Sequence, residues 1–271
     1  MQAQKKKNLM LFAVGYCLAV FIGFCLGLIG GGGSILVIPV LVIFFGIDPV
    51  PATTYSLCIV GLTALAGAVG QVRNSNVDYS KLLQFGITSV LSLFIVRRWI
   101  MPLIPETIFR SDSFLLSRAV LVMVCFSLLM LIAGIKMIKP GKLPQAAGQN
   151  NPVRLALQGI ITGAITGFIG IGGGFIIVPS LVLFAGLSMK KAIGTSLFII
   201  TVNCLVGLLT NISEVGNMDY NFLTLFCALT ITGIIFGTWL TKYIPDKNLK
   251  PAFGWIIIGM STIVFLRSFI H

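Results

Sequence analysis

The chain has 271 residues, of which 57% are hydrophobic and 10% charged, with a net charge of +12 and a mean hydropathy of +1.04. A soluble domain carries charge on roughly 25% of its residues because its surface must be wet. The composition therefore excludes an ordinary water-soluble globule and makes lipid the natural solvent. The cations sit at the ends of apolar runs, as at Arg97-Arg98, Lys190-Lys191 and Lys242, not in a stripe interleaved with aromatics. That pattern anchors membrane helices and excludes a nucleic-acid partner.

In chain order, apolar segments predict membrane helices over 9–30, 34–47, 53–72, 79–100 and 114–138. A second series follows over 154–170, 174–187, 189–211, 219–241 and 249–269. The first run follows Lys5-Lys6-Lys7, yet it is longer than a signal-peptide core and its counterpart at 154–171 is internal, so it reads as a retained membrane segment. Between the series, residues 139–151 hold prolines, glycines and polar residues, a connecting loop. The chain thus divides into an N-terminal membrane repeat (1–138), an inter-repeat loop (139–153) and a C-terminal membrane repeat (154–271).

The division rests on an internal repeat. Gly23, Gly27, Gly30, Gly32, Gly33 and Pro39 recur 140 positions later as Gly163, Gly167, Gly170, Gly172, Gly173 and Pro179. The register continues through Leu41/Leu181, Gly46/Gly186, Ala52/Ala192 and Ser56/Ser196. After a one-residue slip it resumes at Asp78-Tyr79 and Asp219-Tyr220. The second segment of each repeat spans 14 residues and carries a proline, which at 1.5 Å per residue gives ~21 Å against a hydrocarbon core of ~30 Å. The expected fold is an all-α integral membrane protein of two pseudo-symmetric repeats, each of about five hydrophobic segments, with short broken or re-entrant helices after Gly-rich loops. Five crossings per repeat invert the second relative to the first, and four leave them parallel. Inverted repeats are favoured because they bring the two helix breaks face to face.

Paired helix breaks in a repeat point to a transporter's substrate site. Gly30, Gly32, Gly33 and Ser34, with Gly170, Gly172, Gly173 and Gly174, place flexible backbone before a helix start, where free amides and the helix dipole suit a small oxyanion. Close helix packing explains the glycines as well. Thr54 and Ser56, with Thr195 and Ser196, offer uncharged hydroxyl donors to an anion, or N-caps. Asn203 is the most central amide in its segment, either glue between helices or part of a pathway. Arg97, beside Trp99, either faces a cavity and attracts an anion or snorkels to the interface.

The seven acidic residues all fall in loops or at segment ends, whereas cation carriers place a carboxylate within the membrane. Asp78 and Asp219 read as N-caps. The six cysteines lie in apolar segments without CxxC spacing or a neighbouring histidine, so neither a disulfide framework nor a metal site is expected. With one histidine and no nucleophile beside a base, the sequence does not read as an enzyme, and it implies no cofactor.

The stretch 167–181, Gly-Phe-Ile-Gly-Ile-Gly-Gly-Gly-Phe-Ile-Ile-Val-Pro-Ser-Leu, with Ala192-Ile193-Gly194-Thr195-Ser196-Leu197, resembles the TauE/SafE sulfite exporter family, and the resemblance covers both halves. It implies a multi-pass permease of the inner membrane for small sulfur-containing anions: sulfite, thiosulfate or sulfonates. The first half departs from the pattern, with Thr54-Tyr55-Ser56 where the second has Gly194-Thr195-Ser196. The expected partners are a small anionic substrate and the lipid bilayer, with a second copy of the chain left open. A passive anion channel, a metal-ion permease and a non-transporting accessory protein are the alternatives.

Overall fold

The computed structural model describes residues 2–31, 33–100, 103, 107–111, 114–117, 127–128, 131–132, 134–138, 152–169, 174–210 and 218–268. Apolar runs of this length fold as helices because a helix pairs its own backbone N–H and C=O groups where no water can. Helix α1 (Gln2–Ile29) gives way at Gly30, whose φ of +74° is left-handed backbone that a side chain would strain. Helix α2 (Ser34–Phe45) is followed by α3 (Pro49–Arg73) and α4 (Tyr79–Ile95), which continues through a π-helical turn (Val96–Ile100). The second half contributes α5 (Pro152–Ile169), α6 (Gly174–Leu183), α7 (Met189–Thr210), α8 (Tyr220–Thr241) and α9 (Asp246–Ser268).

Five of these helices contain stretches long and apolar enough to cross a membrane: Phe12–Ile29, Pro51–Arg73, Tyr79–Ile100, Met189–Thr210 and Tyr220–Thr241. Helices α2 and α6, at 12 and 10 residues, are too short to span alone. Both are followed by left-handed glycines 140 apart, α2 directly and α6 after two residues: Gly46 and Gly186 have φ of +65° and +67°. In each case the next amide closes the same six-residue bond, Ile47 to the Leu41 carbonyl and Leu187 to the Leu181 carbonyl, both 3.2 Å.

Two expectations need correction. Residues 114–117 are not helical: β1 (Thr107–Ser111) and β2 (Phe114–Ser117) pair antiparallel, with Ser111 opposite Phe114. The reason lies in the sequence around them, where aromatic and apolar residues flank Ser111-Asp112-Ser113, a hairpin pattern rather than a helical one. Outside this hairpin the described elements are helical, as expected. Helix α3 also begins at Pro49, ahead of the expected 53, because proline fits the first turn, where its missing N–H has no partner to lose. Thr54 and Ser56 therefore lie inside α3 and are not caps. Thr195 and Ser196 likewise lie inside α7, near whose start the Ser188 hydroxyl accepts the Lys191 N–H at 3.4 Å. Asp78 and Asp219 do cap: their carboxylates accept from Lys81 N–H, and from Asn221 and Phe222 N–H, at 3.0–3.1 Å.

The most extensive helix pairings all join the two halves: α1 with α8, α4 with α5, and α3 with α7. Glycines make the first two possible. A β-carbon at Gly23 would strike the Thr230 carbonyl, and one at Gly233 the Val20 carbonyl. Gly27 and Gly237 pack against each other's Cα. At the corresponding places in the other pair, a β-carbon at Gly163 would strike the Ser89 carbonyl, and Gly167 abuts Leu93 and Val96. Moving from Gly23 to Gly27 moves the contact on α8 from Thr230 to Gly237, so α1 and α8 run the same way. By the same reading α4 and α5 run the same way. Helices α3 and α7 run oppositely, since Gly61 meets Cys204 while Gly207 meets Leu57.

Candidate substrate site

The two short helices begin beside one another. A β-carbon added at Gly174, the first residue of α6, would lie 3.1 Å from the Gly31 Cα, in the turn that leads into α2. The α2 turn is tightly held. The Ser34 hydroxyl donates to the Gly31 carbonyl at 2.7 Å, the Ser34 N–H bonds the same oxygen at 3.2 Å, and the Leu36 N–H bonds the Gly33 carbonyl at 3.1 Å. Of the amides that the sequence offers to an anion, that of Ser34 is therefore engaged within the turn, and that of Gly30 bonds the Leu26 carbonyl at 2.7 Å. Gly32, Gly170, Gly172 and Gly173 lie outside the described residues.

Ser196, fully buried on α7, donates its hydroxyl to the Gly30 carbonyl at 2.9 Å and to its own helix at Ile193 at 2.8 Å. It ties the α1 end of the first glycine turn to α7. Ser196→Ala is expected to leave the Gly30 carbonyl short of a donor, costing about 1–3 kcal/mol, which would register as a lower unfolding temperature in detergent.

Thr195 serves a different purpose. Its hydroxyl accepts the Asp78 N–H at 3.1 Å, while in the other half Tyr55, 140 positions earlier, accepts the Asp219 N–H at 2.6 Å. Each hydroxyl secures the start of the helix in the opposite half, α4 or α8. Thr54 and Ser56 are both buried. The Tyr55 end is packed with aromatic rings, Phe45 and Phe222 at 4.9 Å and Tyr55 and Phe222 at 5.8 Å between centroids.

Arg97 lies where the end of α4 packs against α7, and Asn203 lies farther back along α7. The π-helical turn sends Arg97 inward and leaves Arg98 and Trp99 exposed. Arg97 Nη1 donates to the Gly207 carbonyl at 3.2 Å and to the Thr210 hydroxyl at 3.4 Å. Half-buried, Arg97 thus turns toward the end of α7. Asn203, one helical turn before Gly207, is 0% exposed, and neither Oδ1 nor Nδ2 has a hydrogen-bond partner. Sequence reasoning passed over Ser89, likewise 0% exposed with its Oγ unpartnered. Its signal was available, since a hydroxyl within an apolar segment must find a partner. Among the described residues no three His, Cys, Asp or Glu side chains come together as a metal would require.

Residues 16–264 match the family described as Sulfite exporter TauE/SafE. A probable membrane transporter protein of Xylella fastidiosa is 30% identical over 257 residues, covering 91% of this chain and 92% of its own. Probable membrane transporter protein YdhB of Bacillus subtilis is 27% identical over 232 residues, covering 85% and 91%. MJ0441 of Methanocaldococcus jannaschii, another probable membrane transporter protein, is 24% identical over 271 residues, covering 92% and 95%. No solved structure matches the chain. A multi-pass membrane transporter by its helices and its relatives, the chain belongs to the Sulfite exporter TauE/SafE family.

Proposed function

We propose that the chain is a secondary transporter of small sulfur-containing anions, sulfite, thiosulfate or sulfonates, across the cytoplasmic membrane. The observation that carries the reading is the approach of the Gly31 turn to the start of α6. Two short helices begin there, one from each half, and a helix start carries roughly half a positive charge. Glycine at these starts lets an anion approach the backbone closely. The antiparallel course of α3 and α7 supports inverted halves, in which two such breaks meet at the same depth. The location of the acidic residues at helix starts and loops, seen at Asp78 and Asp219, fits an anion rather than a cation as cargo.

The test is flux. Protein reconstituted in vesicles is expected to move sulfite or thiosulfate with saturation, at a rate that responds to an imposed membrane potential or proton gradient. Conductance that rises without saturation and ignores both gradients would make it a channel. No flux of any sulfur anion, with chloride and divalent metals tested beside them, would sink the substrate assignment.

A further inference from the structure

Two of the helix seams that join the halves, α3–α8 and α4–α7, are chemically unequal. In one seam, Thr63 on α3 and Thr230 on α8 share a hydrogen bond of 2.7 Å, and each also bonds its own helix, Thr63 to the Ile59 carbonyl and Thr230 to the Cys227 carbonyl. Both hydroxyls have partners. Asn203 stands 140 positions after Thr63, and Ser89 stands 141 before Thr230, the same slip that separates Asp78 from Asp219. The second seam, between α4 and α7, therefore holds an amide and a hydroxyl where the first holds a closed pair.

Contacts along this second seam put the two residues at one level. Asp78 bonds Thr195 at its beginning, a β-carbon added at Gly86 would lie 3.4 Å from Ile199 farther on, and Arg97 bonds the Gly207 carbonyl at its end. The helices run the same way. Ser89 lies three residues past Gly86 and Asn203 four past Ile199, each about one turn. Both are fully buried, and three polar atoms, Ser89 Oγ and Asn203 Nδ2 and Oδ1, lack partners. A buried donor or acceptor without a partner is costly, and native proteins rarely hold three together without a reason.

We propose that the α4–α7 seam is a second binding station for the transported anion where that anion is sulfite, taken in its singly protonated form. The inference rests on the transporter reading given above. Asn203 Nδ2 and the Ser89 hydroxyl donate to its oxygens, and its own O–H donates to Asn203 Oδ1. A fully deprotonated oxyanion satisfies only the donors. Arg97, held one turn farther along at the Gly207 carbonyl, supplies positive charge at the end of the seam. The α3–α8 seam has Thr238 at that place, bonded to its own helix at Ile235, 3.0 Å.

The experiment copies the closed seam onto the open one. A Ser89→Thr/Asn203→Thr double variant and an Asn203→Leu variant are compared with the unaltered protein in detergent, by thermal unfolding, with sodium sulfite or sodium sulfate at matched ionic strength. Sulfite, which holds a proton near neutral pH, is expected to raise the unfolding temperature of the unaltered protein by several degrees, and sulfate is not. Both variants are expected to unfold no lower than the parent without ligand and to lose the response to sulfite. Equal sulfite stabilisation of parent and variants overturns the station while leaving the transporter reading intact. Equal stabilisation of the parent by sulfate overturns the protonated form. No response of the parent to either anion overturns the station and, with it, sulfite as the cargo.

Discussion

Gly23→Leu is expected to abolish accumulation of folded protein, and Gly163→Leu is expected to do the same. In both cases the added β-carbon meets backbone, the carbonyl of Thr230 or of Ser89, and not the tip of a side chain that could rotate away. Relief requires α1 to separate from α8, or α5 from α4, and these are two of the most extensive helix pairings in the fold. Overpacking a side chain into a core costs about 1–3 kcal/mol when neighbours can adjust. Here the neighbour is a hydrogen-bonded main chain, so the cost reaches or exceeds the upper end. In a membrane this matters more than in water, because helices there associate chiefly through close packing. Gly259→Ala is the matched control: nothing lies within 4 Å of its added β-carbon, so the change is expected to be neutral or stabilising by up to about 1 kcal/mol. The measurement is the monodisperse fraction after detergent extraction, followed through a temperature ramp. Wild-type behaviour of Gly23→Leu would show that α1 and α8 do not pack as described.

The same glycines show why part of this protein was legible in advance. Segment ends in the second half fall within a few residues of their expected places, because a hydrophobic run of membrane length admits almost no backbone but a helix. The caps at Asp78 and Asp219 were readable for a similar reason, as a short acidic side chain ahead of an apolar run has one common use. The hairpin at Thr107–Ser117 was missed because its apolar residues merged into the next hydrophobic segment, and a short run carries too little periodicity to separate strand from helix. The hydroxyls were harder still. Ser196, Thr195 and Tyr55 look alike in sequence, yet one ties the glycine turn to α7 and two secure the starts of helices in the opposite half. Those roles depend on which helices touch, and pairing across the halves is a three-dimensional fact that spacing along the chain does not encode.

Arg97→Ala is expected to lower flux by 10-fold or more while leaving the protein folded, and Arg97→Lys is expected to recover only part of the loss. The guanidinium reaches inward from the π-helical turn to two neutral acceptors, the Gly207 carbonyl and the Thr210 hydroxyl, within a largely apolar span. Holding a cation in such surroundings is expensive, and membrane proteins keep one where it acts on a substrate or ion pathway. Hydrogen bonds from a charged group contribute about 1.5–3 kcal/mol, which corresponds to the expected order of flux loss. Lysine preserves the charge, but it lacks the planar fork that bonds two acceptors while facing an anion. The informative comparison is Thr238→Ala, at the matching place in the other half, where the hydroxyl bonds its own helix and a loss of under twofold is expected. Initial rates over a range of anion concentration separate the roles. A raised half-saturation concentration in Arg97→Lys with an unchanged maximal rate places the guanidinium on the anion. An unchanged half-saturation concentration with a lower unfolding temperature confines it to joining α4 and α7.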